Sequence, residues 1–145
     1  MEVVPVGWTT DNIAIAGELR IPDSEGPSPA VCICHGIPSG RPAEPGDKGY
    51  PDLAEKFCRA GFASLIFNFR GTGPSGGNFD ILGWTRDLGG AIDCLHSWSH
   101  VDRSRISLMG FSGGAAASVY VAARDPRVAR LVLCACPAAF RRIVS

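Results

Sequence analysis

The stretch Gly110-Phe111-Ser112-Gly113-Gly114 sets a hydroxyl among glycines at the spacing G-x-S-x-G. A serine in that setting does nucleophilic chemistry when two conditions hold. A sharp turn must lift its oxygen clear of the backbone, and nearby amides must receive the negative charge that develops on an attacked carbonyl. The flanking pattern supplies the turn. RISLMG (105–110) reads as a short strand, and GGAAASVYVAAR (113–124) as a helix apolar almost all round, hence buried. Gly110 and Gly114 keep side chains out of the crowded turn. The Gly113 amide falls at the helix N-terminus, where unpaired N–H groups and the helix dipole favour an anion. Glycine and serine are common, so this motif is weak by itself, and Ser112 also reads as an ordinary helix N-cap.

Two further stretches agree with the first reading. AVCICHG (30–36) is a short buried strand ending in His35-Gly36, and the loop beyond it offers the Ile37 amide as a second donor to an oxyanion. NFRGTGPSGG (68–77) follows the next strand. Its glycines admit a phosphate-cradling reading, but it lacks the GK[ST] ending and does not open directly into a helix. Arg70 and Asp80 read as solvated loop residues without a role.

The elements that must position these residues follow from periodicity. EVVPVGW and NIAIAGELRI flank the turn-like Thr9-Thr10-Asp11-Asn12 and suit an antiparallel hairpin. A loop rich in Pro, Gly and Ser, 22–29, leads to strand 30–36, and a second long loop leads to residues 50–60. There Tyr50, Leu53, Ala54, Phe57 and Cys58 recur at helical spacing, with Gly61 as the closing residue. FASLIFNF is the next buried strand. Residues 82–98 read as a helix with Leu88, Ala91, Ile92 and Leu95 on one face and Trp84 and Trp98 packing it on the sheet. Gly89-Gly90 counts against that helix, since each Gly costs about 1 kcal/mol relative to Ala. RVARLVLCAC is the last strand, ending at 136. Alternation of strands and helices implies one α/β domain over 1–145: a mostly parallel, doubly wound sheet of about six strands with helices on both faces and an N-terminal hairpin.

The chain has 145 residues, 46% of them hydrophobic, so it can bury a real core. Fourteen basic and 14 acidic residues cancel without a block of like charge, so nothing points to a nucleic-acid or anionic-membrane partner. The N-terminus is unlike a secretory signal and no apolar run is long enough to span a bilayer, so a cytoplasmic location is expected. Cys32, Cys34, Cys58, Cys94, Cys134 and Cys136 read as small core hydrophobes. The C-x-C pairs lack the spacing of zinc or thioredoxin sites, so no metal is expected.

On these residues the chain resembles the α/β-hydrolase family. His35-Gly36 is similar to that family's oxyanion motif, Phe69-Arg70-Gly71-x-Gly73-x-Ser75-x-Gly77 to its RGxGxSxG loop, and Gly110–Gly114 to its nucleophile elbow. The most similar branch holds small esterases, acylglycerol lipases and serine aminopeptidase-like hydrolases. The resemblance implies Ser112 as the catalytic nucleophile and the Ile37 and Gly113 amides as the oxyanion hole. His35, Gly36, Gly110 and Gly114 would support them. It implies a small-molecule ester or amide as substrate, and no cofactor.

The resemblance also exposes a departure. The family's triad runs Ser, then Asp or Glu, then His. After Ser112 the chain has no histidine, and its only acid is Asp125. A twelve-residue helix, about 18 Å long, separates that acid from the serine. His96 and His100 precede the serine's strand, at its far end. His35 lies at the correct end, but the family uses that position to hold the loop. The expectation is therefore an α/β-hydrolase core lacking its C-terminal strands, nearly inactive as it stands, with an open sheet edge suited to self-association. A peptidase or amidase of the same fold, or a non-catalytic remnant acting through partner binding, is the alternative.

Overall fold

The computed structural model describes residues 1–38 and 48–134. The elements run β1 (Glu2–Thr10), β2 (Ile13–Ile21), β3 (Ser28–Cys34), α1 (Gly49–Arg59), β4 (Ala63–Phe67), α2 (Ile81–Ser97), β5 (Val101–Phe111), α3 (Gly113–Ala122) and β6 (Val128–Cys134). Cys136, the end of the expected last strand and the loop over 39–47 lie outside the described residues.

The strands form one mixed sheet in the order β1-β2-β4-β3-β5-β6. β1 and β2 make the expected hairpin, with Thr10 opposite Ile13. Asp11 and Asn12 take φ of 52° and 61°, the left-handed pair that a two-residue turn of type I′ requires. β2 is also antiparallel to β4, whereas β3 is parallel to β4 and β5, and β5 to β6. β5 is thus paired on both sides, and all strands of the parallel set end at the edge where the Ser112 turn stands.

Side-chain alternation divides the core. Val31 and Ile33 of β3 face α1, packing with Leu53, Ala54 and Phe57. Cys32 and Cys34 point the other way, into the larger core with Trp84, Leu88, Ile92 and Leu95 of α2 and Ala117 and Val121 of α3. The two cysteines are fully buried, and the neighbouring Cys34 thiol, with burial, raises the Cys32 pKa and keeps that thiol protonated. Helix α1 ends as its sequence suggests. Ala60 is the cap, Gly61 follows at φ 102°, and the Phe62 amide reaches back to Phe57 O (3.0 Å) while the Phe57 and Phe62 rings meet at 5.7 Å. Gly90 does not weaken α2 to no purpose: a Cβ there would stand 2.4 Å from Trp8 Cδ1, so the missing side chain is what lets β1 pack on the helix.

Three expectations need correction. β5 begins at Val101 rather than 105, because residues 102–105 bulge out between the Ser28–Val101 and Ala30–Ile106 pairings. Asp80 has a role: it is the N-cap of α2, its carboxylate accepting from Leu82 N at 3.2 Å. Arg70 is not a solvated loop residue but 4% exposed. Its Nη2 donates to Asp87 Oδ1 (2.8 Å) and to Asp11 Oδ2 (2.9 Å), and its backbone N–H donates to Asp87 Oδ2 (2.9 Å). Asp87 is fully buried on α2. The guanidinium lies where a Gly83 side chain would be, 2.5 Å from that virtual Cβ. Arg70 therefore ties the β4–α2 loop to helix and hairpin together, and the contact with Asp87 raises its pKa further. The last described strand, β6, is a sheet edge with Leu131, Val132 and Leu133 exposed.

Breaking a buried pair strands a charge, at a cost of about 3–5 kcal/mol, whereas an exposed pair contributes about 1 kcal/mol or less. Asp87→Ala is therefore expected to lower the urea unfolding free energy by about 3–5 kcal/mol. Arg86→Ala, which breaks the outer contact to Asp11, is expected to lower it by less than about 1 kcal/mol.

Candidate active site

Ser112 stands between β5 and α3 with φ 51° and ψ −118°. A non-glycine residue in such backbone costs on the order of 1–3 kcal/mol and persists only where its surroundings over-determine it. Here they do. The Ser112 amide donates to Cys134 O (3.1 Å), and its carbonyl accepts from Ala115 (3.0 Å) and Ala116 (3.1 Å), the first bonds of α3. A Cβ on Gly114 would lie 2.3 Å from both Cys34 O and His35 O, and one on Gly110 2.5 Å from Ala115 Cα. Only glycine fits at either place, so the chain turns from strand to helix while pressed against the end of β3.

The loop after β3 comes to the same point. A Gly36 Cβ would lie 3.1 Å from Ser112 Cβ, and a Gly113 Cβ 2.7 Å from Ile37 Cγ1. The structure thus brings together Ser112, Gly113, Gly36 and Ile37, the residues singled out from sequence. The Gly113 amide begins α3, where the first turn has no intrahelical acceptors for its N–H groups.

His35 stands beneath them, 7% exposed, edge-on to Phe69 (5.1 Å) and Trp84 (5.2 Å). Its Nε2 accepts from the Phe69 amide at 3.0 Å. An amide only donates, so Nε2 is bare and the ring proton sits on Nδ1, which donates to Gly36 O at 2.7 Å. Both nitrogens are committed to backbone. Burial lowers the imidazole pKa, so the ring stays neutral. His35 fixes the loop that carries Gly36 and Ile37 and has no nitrogen left to face Ser112. The RGxGxSxG loop is held in the same manner: Ser75 Oγ accepts from Ala16 N (3.0 Å), and Gly76 N donates to Ala14 O (2.8 Å). A Cβ on Gly71, at φ 79°, would meet Phe79 N at 2.4 Å.

The other candidate bases lie elsewhere. His96 is in the last turn of α2, and His100 precedes Val101, which pairs with Ser28 at the opposite end of β3. Seven strand residues separate those ends by roughly 20 Å. Asp125 is turned to Arg127, which grips it through Nη2 (2.9 Å) and Nε (3.1 Å).

A groove of about 670 Å³ adjoins the site, lined by Ile37, Pro38, Tyr50, Asn68, Thr72 and Pro74 among others. A larger one, about 830 Å³, runs between β1 and α2 past Trp8, Arg86 and Asp93 and holds none of the site residues, so volume alone does not mark the site. Sequence reading missed Tyr50, placing it on the apolar face of α1. Its hydroxyl in fact accepts the Gly36 amide at 3.1 Å. No helix among the described residues is long and apolar enough to cross a membrane, and no cluster of His, Cys, Asp or Glu among them has the form of a metal site.

The buried neutral His35 has a pH signature. Its pKa is 6.5 unperturbed and lower when folded, so between the two values the unfolded chain binds the extra proton. Its contribution to stability is complete above pH 6.5 and declines as pH falls through the folded pKa. Urea midpoints measured from pH 7.5 to 5 are expected to fall for the wild type. The His35→Gln difference should shrink over the same range, and a constant difference would contradict the assignment.

Comparison with known proteins accords with this geometry. Residues 25–142 match the hydrolase family model described as serine aminopeptidase, S33. An uncharacterized 31.7 kDa protein of Escherichia coli is 32% identical over 121 residues, covering 81% of this chain and 41% of its own length. A thiohydrolase of Arthrinium phaeospermum is 37% identical over 93 residues, 61% of this chain and 30% of its own. The solved structure of an alpha-beta serine hydrolase homologue from Coxiella burnetii superposes with a TM-score of 0.75 at 30% identity, covering 98% of this chain and 67% of that one. The chain thus spans about two fifths of the length of that curated E. coli relative. In sheet order, in the glycine turn and in the match over residues 25–142, the chain belongs to the serine aminopeptidase (S33) hydrolases of the α/β-hydrolase superfamily.

Proposed function

We propose that the site is that of a serine hydrolase acting on carboxylic esters through an acyl-enzyme on Ser112. The observation that carries this reading is the strained backbone of Ser112 at the carboxyl end of β5, with Gly36 against Ser112 and Ile37 against Gly113. In the reaction Ser112 Oγ gives up its proton to solvent water as it bonds to the ester carbon, and the carbonyl electron pair moves onto oxygen. The Ile37 and Gly113 N–H groups hold that oxyanion. Collapse of the intermediate expels the alkoxide, which takes a proton from water to become the alcohol, and leaves the acyl group on Ser112; water then releases the acid by the same path. No cofactor enters.

The serine proton needs an acceptor. His35 is committed to Phe69 and Gly36, and Asp125 to Arg127. The 145 residues alone are therefore expected to turn over esters weakly, since an oxyanion hole and binding without a full triad retain about 10³–10⁴-fold catalysis over water. In a longer protein of this family, the acid and histidine would follow the serine in the chain.

A second reading, cleavage of an amide or peptide, is favoured by the description of the family model as a serine aminopeptidase. The same nucleophile and oxyanion hole serve both bond types. The two readings separate on paired substrates. The chain is expected to release p-nitrophenol slowly from p-nitrophenyl acetate, to fall to the buffer rate as Ser112→Ala, and to leave an aminoacyl p-nitroanilide intact. Cleavage of the anilide would favour the peptidase. Ester turnover indifferent to Ser112→Ala would favour a non-catalytic remnant, whose contact surface would be the exposed edge of β6.

A further inference from the structure

Gly36 presents a problem that the fold has to solve. Its missing side chain lets the loop approach Ser112, where a Cβ would stand 3.1 Å from Ser112 Cβ and 3.3 Å from Phe111 O. The same absence frees its backbone, because glycine populates φ and ψ regions closed to other residues. An oxyanion donor is useful only when it is fixed before the charge develops. The Ile37 N–H belongs to the peptide that follows Gly36, so any freedom in Gly36 becomes freedom in that donor.

Two hydrogen bonds remove it. His35 Nδ1–H holds the Gly36 carbonyl at 2.7 Å, which sets the plane of the Gly36–Ile37 peptide. In a trans peptide the N–H points opposite to the C=O, so the Ile37 amide is turned away from His35. The other side of Gly36 is held by Tyr50, whose hydroxyl oxygen accepts the Gly36 N–H at 3.1 Å. The tyrosine is itself placed. It stands in the first turn of α1, and its ring lies edge-on to Phe111 at 5.5 Å, the residue before Ser112, and tilted to His35 at 6.2 Å. It also lines the groove of about 670 Å³ beside the oxyanion loop.

We propose that Tyr50 is a positioning residue for the oxyanion hole: together with His35 it clamps both sides of Gly36, so that the Ile37 N–H is fixed for the oxyanion. This rests on the ester-hydrolase reading of the site. A tyrosine serves here where phenylalanine would not, since packing needs only the ring and the clamp needs the oxygen.

Tyr50→Phe in the 145-residue chain tests this through two separate measurements, amide exchange at Gly36 by NMR and the kinetics of p-nitrophenyl acetate hydrolysis. Loss of one hydrogen bond is expected to speed Gly36 exchange by about tenfold and to lower the melting temperature by no more than a few degrees. The same variant is expected to lower kcat by about tenfold and leave KM unchanged, as loss of a donor's alignment in the transition state requires. Gly36 exchange that does not change overturns the proposal, as does unchanged kcat alongside faster exchange. A merely structural role would lower the melting temperature and leave kcat for the folded fraction unaltered, which also overturns it. Wild-type turnover indifferent to Ser112→Ala would instead overturn the ester-hydrolase reading, and the exchange measurement then still registers whether Tyr50 holds Gly36.

Discussion

The approach of α3 to the end of β3 is the constraint on which the rest of the molecule depends. The Gly114 Cα comes so near the Cys34 and His35 carbonyls that a methyl group would overlap both oxygens at 2.3 Å. Overpacking of that kind costs typically about 1–3 kcal/mol, and more where backbone must move. Because the helix sits so close, the turn into it has no room for relaxed backbone, and Ser112 takes φ 51°. The same closeness brings the loop after β3 over the first turn of α3, so Ile37 covers Gly113. Serine, loop and helix N-terminus are therefore consequences of a single packing distance.

That distance has to be defended from below. Phe69 stacks flat on Trp84 at 4.2 Å, and His35 stands edge-on to both rings. Trp84 Nε1 donates to the Arg70 carbonyl at 3.1 Å, and Arg70 is closed onto Asp87. The β4–α2 loop, helix α2 and the oxyanion loop are thus joined by one chain of aromatic and charged contacts. A buried ion pair is weak evidence for stability, because desolvation offsets most of the Coulomb gain. Its effect here is on position: it fixes the backbone of residues 69–70, whose Phe69 amide determines which nitrogen of His35 is protonated.

Local signals made much of this legible. The strand–turn–helix around Ser112, the hairpin and the helix-ending Gly61 are written in patterns only a few residues long, and they appear in place. Contacts between distant residues were not legible. Arg70 and Asp87 are 17 residues apart, Arg70 and Asp11 59 apart, and nothing local distinguishes a buried arginine from a solvated one. The available sign was Gly83, a glycine inside a helix that leaves space for the guanidinium, just as Gly90 leaves space for Trp8. Read by propensity, glycines in α2 signify weakness; read by packing, these two mark where another element touches. Tyr50 was hidden for a different reason. Its ring satisfies the apolar period of α1, and periodicity carries no information about where a hydroxyl ends.

On the proposed reading Ser112 is a nucleophile that finds no base among the described residues. Intact and peptide mass spectrometry after exposure to a fluorophosphonate tests it most directly. Phosphonylation joins the serine oxygen to phosphorus and expels fluoride, so the modified residue is read from the mass of its peptide. A single adduct is expected, on the peptide carrying Ser112, accumulating slowly and absent in Ser112→Ala. An adduct on another serine, or none, would contradict the nucleophile, and labelling as fast as that of a complete triad would contradict the missing base.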